Sequence, residues 1–198
     1  MGKSLAMLLF CFLSTTSVLF GQKQAYEVFL FGKKIGDLKI DRTTGTPEKE
    51  IINMFTDINT KALLVNKWSK TLVNATFENN ILTYCNFNSE TESAKQNVKS
   101  VYDRIKYIVQ RGAEKTILNC SPITCSTVHL FYHEPKKVTH VFSERYAQMI
   151  PLQQLKPSEY SFKVPDGAVN IYKYRNGVLH EIELKKTLGT AYVRMAKQ

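Results

Sequence analysis

The chain has 198 residues, 22% of them charged and 43% hydrophobic, with a formal net charge of +10 at pH 7. These proportions exclude wholesale disorder, and a chain of this length buries roughly 70% of its unfolded surface without a disulfide framework. After the first residues, no apolar run approaches the roughly 20 residues of a membrane span.

The N-terminus has the three zones of an export signal: Lys3, an apolar run at residues 5–13, then small and polar residues at 14–21. This assigns residues 1–21 to a signal peptide and residues 22–198 to a single antiparallel β domain, periplasmic or secreted. Cys11 leaves with the signal. Cys85, Cys120 and Cys125 remain, and an oxidising compartment favours one disulfide and one free thiol. In an exported protein the basic excess points to an anionic lipid or acidic glycan rather than to nucleic acid. The simpler reading of that excess is solvated lysine on the outer face of a sheet.

From residue 24 the hydropathy period is mostly two, that of a strand with one buried face. Tyr26, Val28 and Leu30 alternate with Glu27, Phe29 and Phe31. Gly32-Lys33-Lys34 turns the chain into a strand at residues 35–43, and residues 44–49 form a loop. Residues 51–58 and 62–77 read as strands, Asn79-Asn80 as a turn that tolerates positive φ, and residues 81–87 as the next strand. A polar stretch at 89–96 precedes a strand pair at 98–102 and 105–110, and Gly112 leads into 115–118. In the last third, Pro165-Asp166-Gly167 and Arg175-Asn176-Gly177 separate alternating runs at 160–164, 168–174 and 178–184, before a final run at 191–195. Asp-Gly and Asn-Gly between such runs are strong hairpin signals, so this third is a β-meander. The expected fold is all-β and mainly antiparallel, a strongly curved sheet or an open barrel.

Residues 120–135 break the pattern. Ser121 can cap a helix, Pro122 suits its first position and Pro135 stops it. This predicts one short helix near 121–133, against the β-branched Thr124, Thr127 and Val128. Cys120 and Cys125 would then face each other at the staple positions, close enough for a disulfide that leaves Cys85 free. The same helix would stack Cys125, His129 and His133 on one face, a stripe that can instead ligate zinc, with Glu134 or His140 as further ligands. A disulfide at Cys125 excludes that ligation. On a strand, His129 and His133 would lie roughly 13 Å apart and share no metal. There is no His-Glu-x-x-His, no Gly-x-Ser-x-Gly elbow and no phosphate loop, and no cofactor is expected.

Alternation places Tyr172 and Tyr174 on one face with Asn170, and an aromatic concave face with lysines at its rim suits a lipid or glycan. Glu144-Arg145 adds a charged pair after a strand, whose simplest role is a salt bridge or cap. Tyr172, Tyr174, Glu144 and Arg145 are therefore the candidate binding residues.

Several pieces carry a resemblance: Tyr26-Glu-Val-Phe-Leu-Phe-Gly-Lys-Lys-Ile-Gly-Asp-Leu38, Tyr132-His-Glu-Pro135, Val141-Phe-Ser-Glu-Arg-Tyr146, Val164-Pro-Asp-Gly167, Tyr172-Lys-Tyr174 and Asn176-Gly177. The chain resembles an uncharacterised family of exported β-rich proteins, a domain of unknown function from Gram-negative bacteria of the Bacteroidota type. The resemblance implies an envelope or periplasmic protein and carries over no catalytic residue. The expected role is non-enzymatic binding of an amphipathic or anionic envelope ligand by the curved sheet. The alternative is a metal-dependent envelope enzyme built on the Cys125/His129/His133 stripe.

Overall fold

The computed structural model describes residues 20–46, 48–62, 65–186 and 189–197. Residues 1–19, most of the expected signal peptide, lie outside the described residues. The alternating runs form β1 (Phe20–Leu30), β2 (Lys33–Thr46), β3 (Lys49–Ala62), β4 (Val65–Glu78), β5 (Ile81–Thr91), β6 (Lys95–Tyr102), β7 (Tyr107–Arg111) and β8 (Glu114–Leu118). After a long connection come β9 (His140–Ser143), β10 (Gln148–Pro151), β11 (Gln153–Lys156), β12 (Glu159–Lys163), β13 (Val169–Arg175), β14 (Val178–Lys186) and β15 (Gly189–Met195).

Among the described residues, thirteen strands form one antiparallel sheet in the order β11-β12-β13-β14-β15-β1-β2-β3-β4-β5-β6-β7-β8, and β9 with β10 forms a separate hairpin. Because β1 pairs with β15, the first and last strands meet in mid-sheet, and the free edges are β8 and β11. The sheet is therefore all-β, antiparallel and open, as the alternation predicts. The chain between the two edges, residues 119–152, has to cross the opening. It crosses through the interior, burying Ile123, Val128, Leu130, Phe131, Val141, Phe142 and Ile150 against the sheet. Each such side chain contributes roughly 1.5–3 kcal/mol when fully buried.

The turns show why the strands reverse where they do. Phe31-Gly32 (φ 49 and 75), Asn79-Asn80 (51 and 61) and Asn176-Gly177 (52 and 78) have positive φ at both central positions. That is the requirement of a type I′ hairpin, whose twist matches the strands. The first turn thus sits one residue earlier than the expected Gly32-Lys33-Lys34. At the Asp166-Gly167 turn only Gly167 is positive, at 88. There the Gly167 N–H donates to Val164 O and the Val164 N–H to Ala168 O, closing a three-residue loop. Gly36 serves a different need: a Cβ there would lie 2.1 Å from the Asp57 carbonyl oxygen, so only glycine lets β2 and β3 approach this closely.

The crossing segment corrects one expectation. No helix spans 121–133; the segment has a single 3-10 turn at His129–Phe131, and its start carries no side-chain cap. The Thr127 N–H donates to Phe142 O and the Phe142 N–H to Cys125 O, with Ser126 bridging Phe142 in parallel. The Ser-Pro start signal thus does not prevail, and the chain at Cys125 and Ser126 runs beside β9 before turning at Thr127. Without the helix there is no staple geometry. Cys85, Cys120 and Cys125 are all free thiols, so the expected Cys120–Cys125 bond is not formed.

Candidate functional site

The buried face of the sheet is concave and falls into three tiers. Its upper end carries the Asn79-Asn80 turn; its lower end carries the tips of the β3–β4 and β5–β6 hairpins. Register places Arg42 beside Ile52, and Glu50 beside Phe77, in the upper tier. Leu38, Ile40, Ile52, Val73, Ala75 and Phe87 form an apolar middle. Below it the same alternation turns to hydroxyls: Thr56, Ser69, Thr71, Ser89 and Thr91, all half-buried.

The upper tier is closed by the crossing segment. His129 packs on Phe77 with ring centroids 4.0 Å apart and the rings tilted by 45°, and its Nε2 lies 3.3 Å from Glu50 Oε2. The Ser126 N–H donates to His129 Nδ1 at 3.3 Å, which fixes Nδ1 as the acceptor and makes Nε2–H the donor to Glu50. The Arg42 guanidinium binds the other Glu50 oxygen and lies 5.7 Å from the Tyr132 ring, while the Tyr132 hydroxyl donates to Gln22 O at 3.3 Å. Burial pushes the Glu50 carboxyl up, but His129 and Arg42 outweigh it and hold the group below its usual range. Neighbouring His133 is lowered by burial and by Arg42 and His129.

The interior beneath holds Glu144, 3% exposed. Its carboxylate accepts from the Thr127 hydroxyl and, at 3.1 Å, from the Val128 N–H. A buried carboxylate with two donors is satisfied without a cation. Tyr172 and Tyr174 are each 5% exposed, and the Tyr174 hydroxyl donates to Leu130 O at 2.7 Å. The aromatic face expected to line a groove is thus occupied by the chain's own crossing segment. Arg145 points elsewhere, 5.1 Å from the Tyr146 ring and 3.8 Å from Asp166 on the surface. Of the four candidate binding residues, the fold brings three inside and leaves Arg145 out.

The Cys125/His129/His133 stripe is not assembled either. No group of three or more His, Cys, Asp or Glu side chains among the described residues is arranged to hold a metal. Burial, reinforced by Glu144, pushes the Cys125 thiol up to about 12, and the same two causes raise Cys85. Such thiols stay protonated, which disfavours both ligation and nucleophilic attack.

The lower tier is different. Between the β3–β4 tip and the β5–β6 turn lies a hollow of about 280 Å³ lined by Ile58, Thr60, Lys67, Trp68, Ser69, Thr91 and its neighbours Glu92 and Ser93. The Thr60 hydroxyl donates to Lys67 O at 3.0 Å, and Thr71 reaches Ser89 at 3.4 Å, so these hydroxyls bond within the sheet. Each retains lone pairs for a ligand. Among the described residues, residues 119–152 reach only the rim of this tier, where Gln96 beside Ser89 donates to Arg145 O at 3.4 Å, and no hydrogen bond joins them to these hydroxyls.

Sequence reasoning missed both ends of the face. The signal was present: once Ile52 and Met54 are read as inward, Glu50 must be inward too, and once Leu38 and Ile40 are, so must Arg42. A charged residue at an inward position marks a polar partner brought by another element.

The fold and these tiers define an internally plugged, open β-barrel-like domain with one half of its concave face covered and the other exposed. The chain belongs to the family described as a domain of unknown function (DUF6134), whose sequence profile matches residues 26–196. No curated protein matches its sequence. Among solved structures it is similar to a β-barrel-like protein of domain of unknown function DUF1849 from Brucella abortus, with TM-score 0.53 and 11% identity over 88% of this chain and 95% of that one. That likeness concerns the fold. Among the described residues no helix is long and apolar enough to cross a membrane.

Proposed function

We propose that this is a non-enzymatic binding protein of the cell envelope, holding an amphipathic ligand, lipid or anionic glycan, against the uncovered lower half of its concave face. The observation that carries the reading is the hollow of about 280 Å³, where Ile58 offers apolar surface beside hydroxyls and the Lys67 ammonium. Hydroxyls suit a sugar or headgroup, the Ile58 side chain suits an acyl chain, and the ammonium suits an anionic substituent. The size fits a headgroup or one sugar ring. The envelope assignment rests on the three-zone N-terminus and on the basic excess.

Native mass spectrometry of the protein purified from the envelope fraction tests both parts. The expected result is a polypeptide beginning near Gln22 that retains a lipid or glycan mass, lost in Ile58→Asp. Retention of Met1 overturns the export reading. An unliganded mass for the wild type, or an adduct that survives Ile58→Asp and Thr91→Val together, overturns the groove.

A further inference from the structure

The convex face carries a basic hollow that the concave groove does not use. It lies where β15 stops at Met195 while β1 runs on towards Phe20, a step in the sheet with a volume of about 460 Å³. Lys23, Lys39 and Lys197 line it together with one carboxylate, Asp41, over a floor that includes Ala25, Met195 and Ala196.

Several lysines of this sheet are matched by carboxylates: Lys34 with Glu27 and Asp37, Lys70 with Asp57, Lys95 with Glu90, and Lys173 with Glu181 and Glu183. The pairing fails at the step. Among the described residues, Lys23, Lys39 and Lys197 enter no ion pair. The register sets Lys39 beside Ala25 on one side and Phe55 on the other. Lys23 stands opposite Asp41, whose carboxylate already accepts from Asn53 at 3.0 Å in a row of side-chain amides that Asn74 extends. Neighbouring Asp37 and Asp57 are engaged by Lys34 and Lys70.

The row that contains Lys39 continues outward as Phe55 and Leu72, directly opposed across β3 and β4 and 41% and 39% exposed. The convex side thus sets two exposed apolar side chains near three ammonium groups that form no ion pair among the described residues, with the Asp41 carboxylate beside them. Lysines that hold phosphates, next to side chains that enter the headgroup layer, are the ingredients of interfacial attachment. The net charge of +10 acts in the same direction at longer range.

We propose that this convex patch docks the protein on a bilayer containing anionic phospholipid, with lipid phosphates in the Lys23/Lys39/Lys197 hollow and Phe55 and Leu72 at the headgroup boundary. The patch lies on the opposite face of the sheet from the ligand groove, so the inference stands independently of that reading.

Co-sedimentation with phosphatidylcholine vesicles, with and without phosphatidylglycerol, tests it. The full chain is expected to bind only the phosphatidylglycerol vesicles, less as sodium chloride rises. The variant carrying Lys23→Glu, Lys39→Glu and Lys197→Glu should lose at least about tenfold in bound fraction, given that each basic residue at such a surface contributes measurably. Phe55→Ser with Leu72→Ser should weaken binding at unchanged charge. The comparison variant carries Lys115→Glu, Lys137→Glu and Lys163→Glu, exposed lysines in no ion pair among the described residues, and should bind as wild type. Equal loss in the comparison variant, or equal binding to both vesicle types, overturns the proposal. So does displacement by inorganic phosphate beyond that given by sodium chloride of equal ionic strength, which would assign the hollow to free phosphate. Thermal melts of all variants separate lost binding from lost fold.

Discussion

The upper and lower halves of the concave face are built from the same strands with the same alternation, yet only one is finished. In the upper half the crossing segment brings partners to the sheet, His129 to Glu50 and Tyr132 to the Gln22 carbonyl, and its own Glu144 is bonded within it to Thr127 and Val128. In the lower half the inward hydroxyls of Thr60, Thr71 and Ser89 bond only to neighbouring strands. A sheet that curves around its own chain leaves binding surface only where that chain does not reach. Polar residue type records the boundary, with charge where a partner is built in and hydroxyl where one is not.

Substitution should feel that boundary. Leu130, 1% exposed in the crossing segment, should cost about 3 kcal/mol as Leu130→Ala, a large-to-small core change. Thr71→Ala in the lower tier should cost no more than about 0.5 kcal/mol. Urea midpoints of the two variants check the contrast, and similar losses would erase the distinction between the halves. Glu144→Ala strands the Thr127 hydroxyl and the Val128 N–H in the interior and should cost about 2 kcal/mol. Gly177, at φ +78 in the last hairpin turn, should cost about 1 kcal/mol or more as Gly177→Val, whichever half is considered.

The smallest effect is the dependence on acidity. The Glu50 pKa is lowered on folding, so its contribution is fully present above the unfolded value of about 4.3 and is lost as pH falls through the folded value. Glu50→Gln should therefore flatten the acid limb of the stability–pH curve below about pH 4, with little change in its slope near neutrality. Chemical denaturation across that range measures it. An acid limb identical to wild type would show that the upper closure carries no linkage through Glu50.

Much of this was legible from residue order. The type I′ pairs Asn79-Asn80 and Asn176-Gly177 announce their own hairpins, because few other residues tolerate positive φ twice in succession. The alternation of Ile52, Met54, Thr56 and Ile58 fixes which face is inward. Residues 119–152 resisted, for a local reason. Ser121-Pro122 is a good helix start, but the β-branched residues that follow find backbone partners on β9, a non-local pairing that no window of sequence displays. Everything that depended on that helix failed with it, including the Cys120–Cys125 bond and the metal stripe. The candidate binding residues drew on a true signal, inward aromatics at Tyr172 and Tyr174, and the crossing segment packs onto that face, taking up the Tyr174 hydroxyl at Leu130 O. The lower groove rests on the pairing of three hairpins, so only the period-two pattern of its hydroxyls was visible beforehand.

The central claim is that the crossing segment is a locked part of the fold and divides the concave face. Residue-resolved amide hydrogen exchange of the native protein tests it most directly. The N–H groups of Thr127, Val128 and Phe142, bonded to Phe142 O, Glu144 Oε1 and Cys125 O, should exchange as slowly as those in the middle of β13 and β14. Exchange at those three positions as fast as in the exposed β5–β6 turn would mean that the segment does not close the upper half, and would contradict the account.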